Sequence, residues 1–310
     1  MKLNRLMAKN VLVTGATGLL GNQLTQLLLN RGYGVNILSR KAKSGQPGVN
    51  YYRWNVEDGT IDKRCIEGVD SVIHLAGEGI AAKPWTNARK ERILKSRTES
   101  IRLIYKLIGS QPSSRVKTVI SASAVGFYGD RADEILTEES PPGSGFMAEI
   151  CKAWEDAVDE GIALGLRTVK LRTGIVLTAE GGALPVIAQP IKLGLGSYLG
   201  SGKQWMPWIH VHDVLNMYLF VLENEQIEGT YNQAAPLPVT NADFTKAVAT
   251  ALKKPLWLPR IPAFVLRVLL GEMKAVVLNS NRTSSEKIES VGFRFKFRSL
   301  SMALSDIYDT

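Results

Sequence analysis

NVLVTGATGLLG, residues 10–21, decides the fold. Val11, Leu12 and Val13 form a short apolar run that ends in Thr-Gly, the pattern of a buried parallel strand. Gly15, Gly18 and Gly21 then open a helix whose apolar positions include Leu20, Leu24, Leu27 and Leu28. Arg31-Gly32 stops that helix, and VNILSRK at 35–41 supplies a second strand, which completes a βαβ unit. Glycines at such a turn remove the Cβ atoms that would keep a pyrophosphate away from the backbone. The helix behind them offers unpaired N–H groups and the positive end of its dipole to the anion. The spacing therefore predicts a dinucleotide site at Gly15, Thr17, Gly18, Leu19 and Leu20, against the plainer reading of tight helix–strand packing.

Where an NAD site would carry Asp or Glu for the ribose 2'-hydroxyl, the end of the second strand carries Ser39, Arg40 and Lys41. A cation in place of a carboxylate favours NADP over NAD. The competing reading is a solvated basic turn.

With 310 residues the chain has room for a nucleotide domain and a smaller lobe. Hydrophobic residues make up 45% and charged residues 22%, ordinary globular usage, and no run approaches a membrane span. The basic stretch 1–10 before an apolar run resembles a secretory signal, but the glycine turn occupies that run. Two cysteines, Cys65 and Cys151, and three histidines, His74, His210 and His212, show no metal-ligand spacing. No structural metal and no disulfide are expected, and a reducing cytoplasm suits the chain. The net charge of +9 is concentrated at 83–106 and 282–298. Neither cluster is interleaved with stacking aromatics, so no nucleic-acid partner and no membrane partner is expected.

Residues 51–54, 70–77, 116–123 and 168–177 read as further strands and alternate with helices at 87–108 and 146–164. That order predicts a Rossmann-type, doubly wound parallel sheet over 1–177. Glycine and proline rise across 181–207, marking a smaller mixed α/β substrate lobe over 178–310, with 208–235 returning to the first domain. Thr240 or Asn241 caps a helix through Lys253. Residues 255–310 read as helical with an alternating segment at 292–295. On the 87–108 helix, Arg97 interrupts the apolar stripe of Ile93, Ile101, Ile104 and Ile108. It either pairs with a buried carboxylate such as Glu78 or faces cofactor or substrate.

TGATGLLG, HLAG at 74–77, SASAVGFYG at 121–129 and WIHVHDV at 208–214, taken in order, resemble the extended short-chain dehydrogenases/reductases, the superfamily of nucleotide-sugar epimerases and dehydratases. More narrowly, AGEGIAAKPWTNARKERILKSR (76–97), LRTGIVLTAEGGALP (171–185), GLGSYLGSGKQWMPWIHVHDV (194–214) and PAFVLRVLLGE (262–272) with GFRFKF (292–297) resemble atypical epimerase-family proteins with an uncharacterised C-terminal domain. The resemblance covers nearly the whole chain. It implies cofactor contacts at Leu75, Ala76, Gly77, Glu78, Arg97, Ser121 and Val176, and it allows a homodimer through a four-helix bundle.

That superfamily's chemistry needs a tyrosine and a lysine four apart on a helix and a serine at the end of the fifth strand. The tyrosine moves the proton while the lysine holds the nicotinamide ribose. Strand spacing places the serine at Ser123 and the lysine at Lys152, and the tyrosine position falls on Ala148, whose methyl group does no acid–base work. Tyr128 is the replacement candidate, with an aromatic packed at the domain seam as its plainer reading. Glu149 and Cys151 flank the vacancy: Glu149 points away from it, and Cys151 reads as a small apolar side chain. Ser123 could instead cap a loop amide, and Lys152 could lie on the surface. Substrate candidates are Arg172, Gln204, Trp205 and His210, beside Asp213. The sequence thus implies an NADP-dependent oxidoreductase or epimerase-like enzyme acting on a small polar or nucleotide-linked molecule. The alternative is an NADP(H)-binding sensor or scaffold without turnover.

Overall fold

Val11 and Val13 bury on one face of the central sheet and Leu12 on the other, the two-residue period of a strand covered on both sides. The computed structural model describes residues 9–41 and 47–309. The basic stretch 1–10 lies outside them as far as residue 8. In chain order the strands are β1 (Asn10–Thr14), β2 (Gly34–Ser39), β3 (Val49–Asn55), β4 (Thr60–Ile61), β5 (Ser71–His74), β6 (Thr118–Ala124), β7 (Ile135–Leu136), β8 (Arg167–Thr173), β9 (Ile175–Leu177), β10 (Trp205–Met206), β11 (Trp208–His210), β12 (Gly229–Gln233), β13 (Val239–Thr240) and β14 (Arg282–Thr283). The helices are α1 (Leu19–Asn30), α2 (Asn87–Gly109), α3 (Phe146–Asp159), α4 (Ala183–Lys192), α5 (Val211–Glu223), α6 (Asn241–Ala251), α7 (Ala263–Leu270), α8 (Ala275–Leu278), α9 (Glu286–Ser290) and α10 (Leu300–Tyr308).

Eight strands form the main sheet in the order β12-β8-β6-β5-β1-β2-β3-β4. Every pairing is parallel except β3 with β4 at one edge. The order reverses between β1 and β5, and a doubly wound sheet opens its ligand crevice at the carboxyl ends of the strands flanking such a switch point. Helices α1 and α5 cover one face and α2 and α3 the other, around two apolar clusters. A third cluster, built from α4, α6 and α10 with Trp208 and Phe297, forms the core of the smaller lobe.

Local signals explain the helices that matter for the site. The Thr86 side chain accepts the N–H of Arg89 and starts α2, and Ile93, Arg97, Ile101, Ile104 and Ile108 are all buried along it. Thr240 caps α6 in the same way.

Three elements differ from the sequence reading. The strand over 168–177 is interrupted at Gly174, where a Cβ would lie 2.5 Å from the Pro207 carbonyl oxygen. Beyond that crossing β9 leaves the sheet and pairs with β11. The helix over 146–164 ends at Asp159, and a tighter turn of 3-10 type carries the chain to Leu164. Residues 292–295 form no strand: the N–H groups of Lys296 and Phe297 go to the Asp213 carboxylate, each at 2.9 Å. Phe293, Phe295 and Phe297 are nonetheless buried.

Candidate functional site

The turn from β1 into α1 is built by its glycines. Gly15 adopts φ +68°, and a Cβ there would lie 2.7 Å from the Leu75 carbonyl carbon, so glycine is required by conformation and by space. A Cβ on Gly21 would lie 2.3 Å from the Gly15 carbonyl oxygen, which lets α1 start directly against the turn. Gly18 is the N-cap of α1 and provides no side-chain acceptor, and the first turn holds no acidic residue. The first N–H groups of α1 therefore have no side-chain cap, which suits a diphosphate. Thr17 is exposed beside them, and Leu19 packs 3.6 Å from where a Cβ on Gly181 would lie. Leu20 and Val176 are half-buried against the same cluster. At the end of β2, Ser39 is buried and its hydroxyl accepts the Lys41 N–H at 3.3 Å, while Arg40 and Lys41 are exposed. This arrangement fits a dinucleotide.

Across the switch point, the Leu75 and Ala76 N–H groups both donate to the Thr14 hydroxyl at 3.1 Å, locking the end of β5 to the end of β1. Helix α2 then holds the next turn. Ser96 accepts the Glu78 N–H at 2.9 Å, Arg97 Nη2 donates to the Glu78 carbonyl at 3.0 Å, and Arg89 donates to the Glu78 carboxylate and the Gly79 carbonyl, each at 2.6 Å. Of the two readings of Arg97, pairing with a carboxylate is removed: Glu78's carboxylate is engaged by Arg89. Ser121 is buried and contacts His74 Nδ1 at 3.1 Å.

The expected catalytic residues are placed differently. Ser123 is buried and donates to Glu155 at 2.6 Å. Glu155 also receives Arg172 Nε and Nη2, each at 2.8 Å. Tyr128 donates to Asn232 at 2.7 Å, accepts from Arg172 Nη1 at 2.9 Å and is 0% exposed. Burial, against the opposing field of Arg172, pushes the Tyr128 phenol up to about 12. Ser123, Tyr128, Arg172, Glu155 and Asn232 thus form one closed polar network between β6, β8, β12 and α3. In the structure Ser123 and Tyr128 are hydrogen-bonded to protein partners, and Arg172 is ion-paired inside the protein with Glu155.

Lys152 is placed differently too. It lies on the exposed side of α3 and pairs with Asp156 at 2.6 Å. The face of α3 that meets the end of β6 carries Met147, Cys151 and Glu155, four apart. A Cβ on Gly126 would lie 2.9 Å from Met147 Cε and 3.6 Å from Cys151 Sγ. The helix register is one residue earlier than strand spacing implies, so Met147 and Cys151, not Ala148 and Lys152, face the loop. Met147 has no proton to give, and burial pushes the Cys151 thiol up to about 12, so it stays a neutral thiol at physiological pH.

The substrate candidates of the smaller lobe are also held by protein. Gln204 is buried and donates to the Leu199 carbonyl at 3.0 Å and the Val277 carbonyl at 3.3 Å. His210 caps α5, accepting the His212 N–H on Nδ1, and its ring packs on Phe297 with centroids 4.0 Å apart. Burial lowers its pKa. Trp205 is half-buried, donates to Asp133 at 2.8 Å and stacks under Arg282. Glu155 and Asn232, which complete the network, were missed in the sequence. Glu155 had a signal: it is a lone carboxylate on the apolar face formed by Cys151, Trp154 and Val158.

A parallel sheet that reverses its strand order beside a glycine-lined turn defines a dinucleotide-binding α/β protein. This chain belongs to the NAD dependent epimerase/dehydratase family, whose sequence profile matches residues 11–234. Residues 261–307 match the Domain of unknown function (DUF1731). The epimerase family protein YfhF of Bacillus subtilis (strain 168) is 38% identical over 300 residues, 96% of this chain and 97% of the relative. The chloroplastic SDR39U1 homolog of Arabidopsis thaliana is 35% identical over 305 residues, 96% of this chain and 86% of the relative. Among solved structures, human epimerase family protein SDR39U1 (isoform2) with NADPH superposes at a TM-score of 0.83 with 30% identity, covering 97% of this chain and 99% of that one. UDP-glucose 4-epimerase of Thermus thermophilus with NAD shares the fold at a TM-score of 0.70 and 22% identity, covering 97% and 98%. Among the described residues no helix is long and apolar enough to cross a membrane.

Proposed function

We propose that the chain binds NADP(H) and acts as an oxidoreductase or epimerase-like enzyme on a small polar or nucleotide-linked substrate. The observation that carries this reading is the intact glycine cradle combined with a β2 end that presents Arg40 and Lys41 and no carboxylate. The relative solved with NADPH supports the same cofactor. The nicotinamide supplies a hydride when bound. The chain's own residues hold the diphosphate on the α1 N-terminus and shape the floor at the ends of β5 and β6. With Tyr128 closed into its network and Met147 and Cys151 facing the loop, the proton comes from water or from the substrate's own hydroxyl.

Assay of the purified protein with NADPH over a panel of carbonyl compounds tests this, with turnover expected for at least one and unchanged chemistry in Tyr128→Phe where that variant is folded. The closed network also supports a second reading, in which occupancy by NADP(H) orders the protein for a partner without turnover. Tight binding with no turnover on the panel, and a partner recovered with one oxidation state only, selects it.

The cofactor choice has its own expected result. Arg40→Asp weakens NADPH by about 1.5–3 kcal/mol, the worth of a charge-assisted bond, and leaves NADH nearly unchanged. Titrating both cofactors calorimetrically checks it, and equal losses for the two remove the 2'-phosphate assignment.

A further inference from the structure

The smaller lobe leaves a strip of large apolar side chains in water. Residues 195–200 and 256–261 lie side by side: the Ile261 N–H donates to the Tyr198 carbonyl and the Gly200 N–H to the Ile261 carbonyl, each at 2.8 Å. A Cβ on Gly196 would lie 2.6 Å from Leu256 Cδ2, and Pro262 leads directly into α7. Along this strip Leu193, Leu195, Trp257, Phe264, Val268 and Leu269 are all between 55% and 82% exposed. Leu266 is the buried residue of α7 and fixes its inner side, so Phe264 and Val268, four apart, ride together on the outer one. Contiguous apolar surface of this kind marks a place of contact.

The charge on the strip has one sign. Residues 183–203 and 252–271 carry Lys192, Lys203, Lys253, Lys254, Arg260 and Arg267 and no Asp or Glu. All six are exposed, and among the described residues none of them stands in an ion pair. The carboxylate that follows in sequence, Glu272, is given to Lys90 of α2. The strip lies outside both basic clusters at 83–106 and 282–298, from which no membrane partner is expected.

An apolar surface rimmed by cations alone selects its occupant. A second copy docked by a two-fold axis would set these cations against the same cations, with no carboxylate between them. A bilayer with anionic headgroups satisfies both halves of the strip. Apolar side chains enter the boundary between headgroups and acyl chains, while lysine and arginine stems lie along them and carry their charges out to the phosphates. Tryptophan belongs at that boundary, with its apolar body on one side and its N–H on the wet one. With 8 residues, α7 is too short to span and rests in the plane of the surface. We propose that this strip docks the protein on an anionic lipid surface, with Phe264 and Val268 inserted and Arg260 and Arg267 set on headgroup phosphates.

The test mixes the full chain with vesicles of phosphatidylcholine alone and of phosphatidylcholine with one-third phosphatidylglycerol. Binding is read by flotation and by tryptophan emission, beside the melting temperature of each variant. The chain is expected to bind the anionic vesicles with a blue shift in emission, to leave them as salt is raised, and to bind the neutral vesicles little. Phe264→Ser with Val268→Ser, and separately Arg260→Gln with Arg267→Gln, each weaken binding by about tenfold at an unchanged melting temperature, because these side chains are exposed. If the apolar pair lowers the melting temperature, Leu193→Ser with Leu195→Ser is read in its place. Failure to bind anionic vesicles, or equal binding to both kinds, overturns the inference. Undiminished binding of the apolar variant also overturns it and assigns the contact to the clusters at 83–106 and 282–298. So does a dimer in sedimentation that the apolar variant abolishes, or capture by immobilised polyglutamate without vesicle binding, since these give the surface to a second copy or to an acidic protein.

Discussion

Glu155→Ala destabilises the protein by about 3–5 kcal/mol, the cost of leaving one member of a buried ion pair without the other. Arg172 is 4% exposed and gives two of its N–H groups to Glu155, while Phe127 lies 3.5 Å from its Cζ and closes off water. Removing the carboxylate strands that charge and also leaves the Ser123 hydroxyl without its acceptor. Urea unfolding followed by fluorescence measures the loss as a shift in midpoint at constant slope. The double variant Glu155→Met with Arg172→Leu is expected to lose much less than the sum of the single variants, because an apolar pair of similar volume removes both charges together. Additive losses would mean that the two side chains do not act as a pair. The same experiment separates framework from catalysis: Tyr128→Phe costs about 1–3 kcal/mol through the partners it abandons, Asn232 and Arg172.

The nucleotide half of this fold is legible in the sequence because its signals are local. Glycine spacing at 15, 18 and 21, the stripe on α2 and the alternation of strands with helices each reflect short-range geometry, and all appear in the structure. The polar network is not legible, since Ser123, Tyr128, Glu155, Arg172 and Asn232 come from five separate segments whose meeting depends on the register of β6, β8 and β12. The one-residue error on α3 has the same origin. Counting from a strand end through the loop at 125–145 fixes the start of a helix poorly, and one residue turns a helix face by 100°. That shift moves Lys152 to the solvent side and brings Cys151 to the loop. It leaves the central deduction intact, because no tyrosine on α3 faces the end of β6 in either register.

His74 gives the protein an acid sensitivity of its own. The ring is fully buried on β5, held between Ser100 at 2.7 Å on Nε2 and Ser121 at 3.1 Å on Nδ1, with Trp154 edge-on above it. Burial, reinforced by the charge of Arg97, lowers its pKa from 6.5 to about 3. The unfolded chain takes up this proton below about pH 6.5 while the folded protein does not, so the unfolded state binds more protons in that window and stability falls as pH falls. Above pH 6.5 the contribution is fully present. At about 1.36 kcal/mol per pH unit, it diminishes by about 2 kcal/mol on going from pH 6.5 to pH 5 and is exhausted only near pH 3. His74→Gln keeps hydrogen-bonding groups for both serines and carries no titrating proton. Unfolding free energies measured for both proteins between pH 7.5 and 5 should therefore converge by about 2 kcal/mol as the solution is acidified. Parallel profiles would show that His74 takes up its proton in the folded protein over the same pH range as in the unfolded chain, with the two serines, each already bonded to a backbone carbonyl, then accepting from both ring nitrogens.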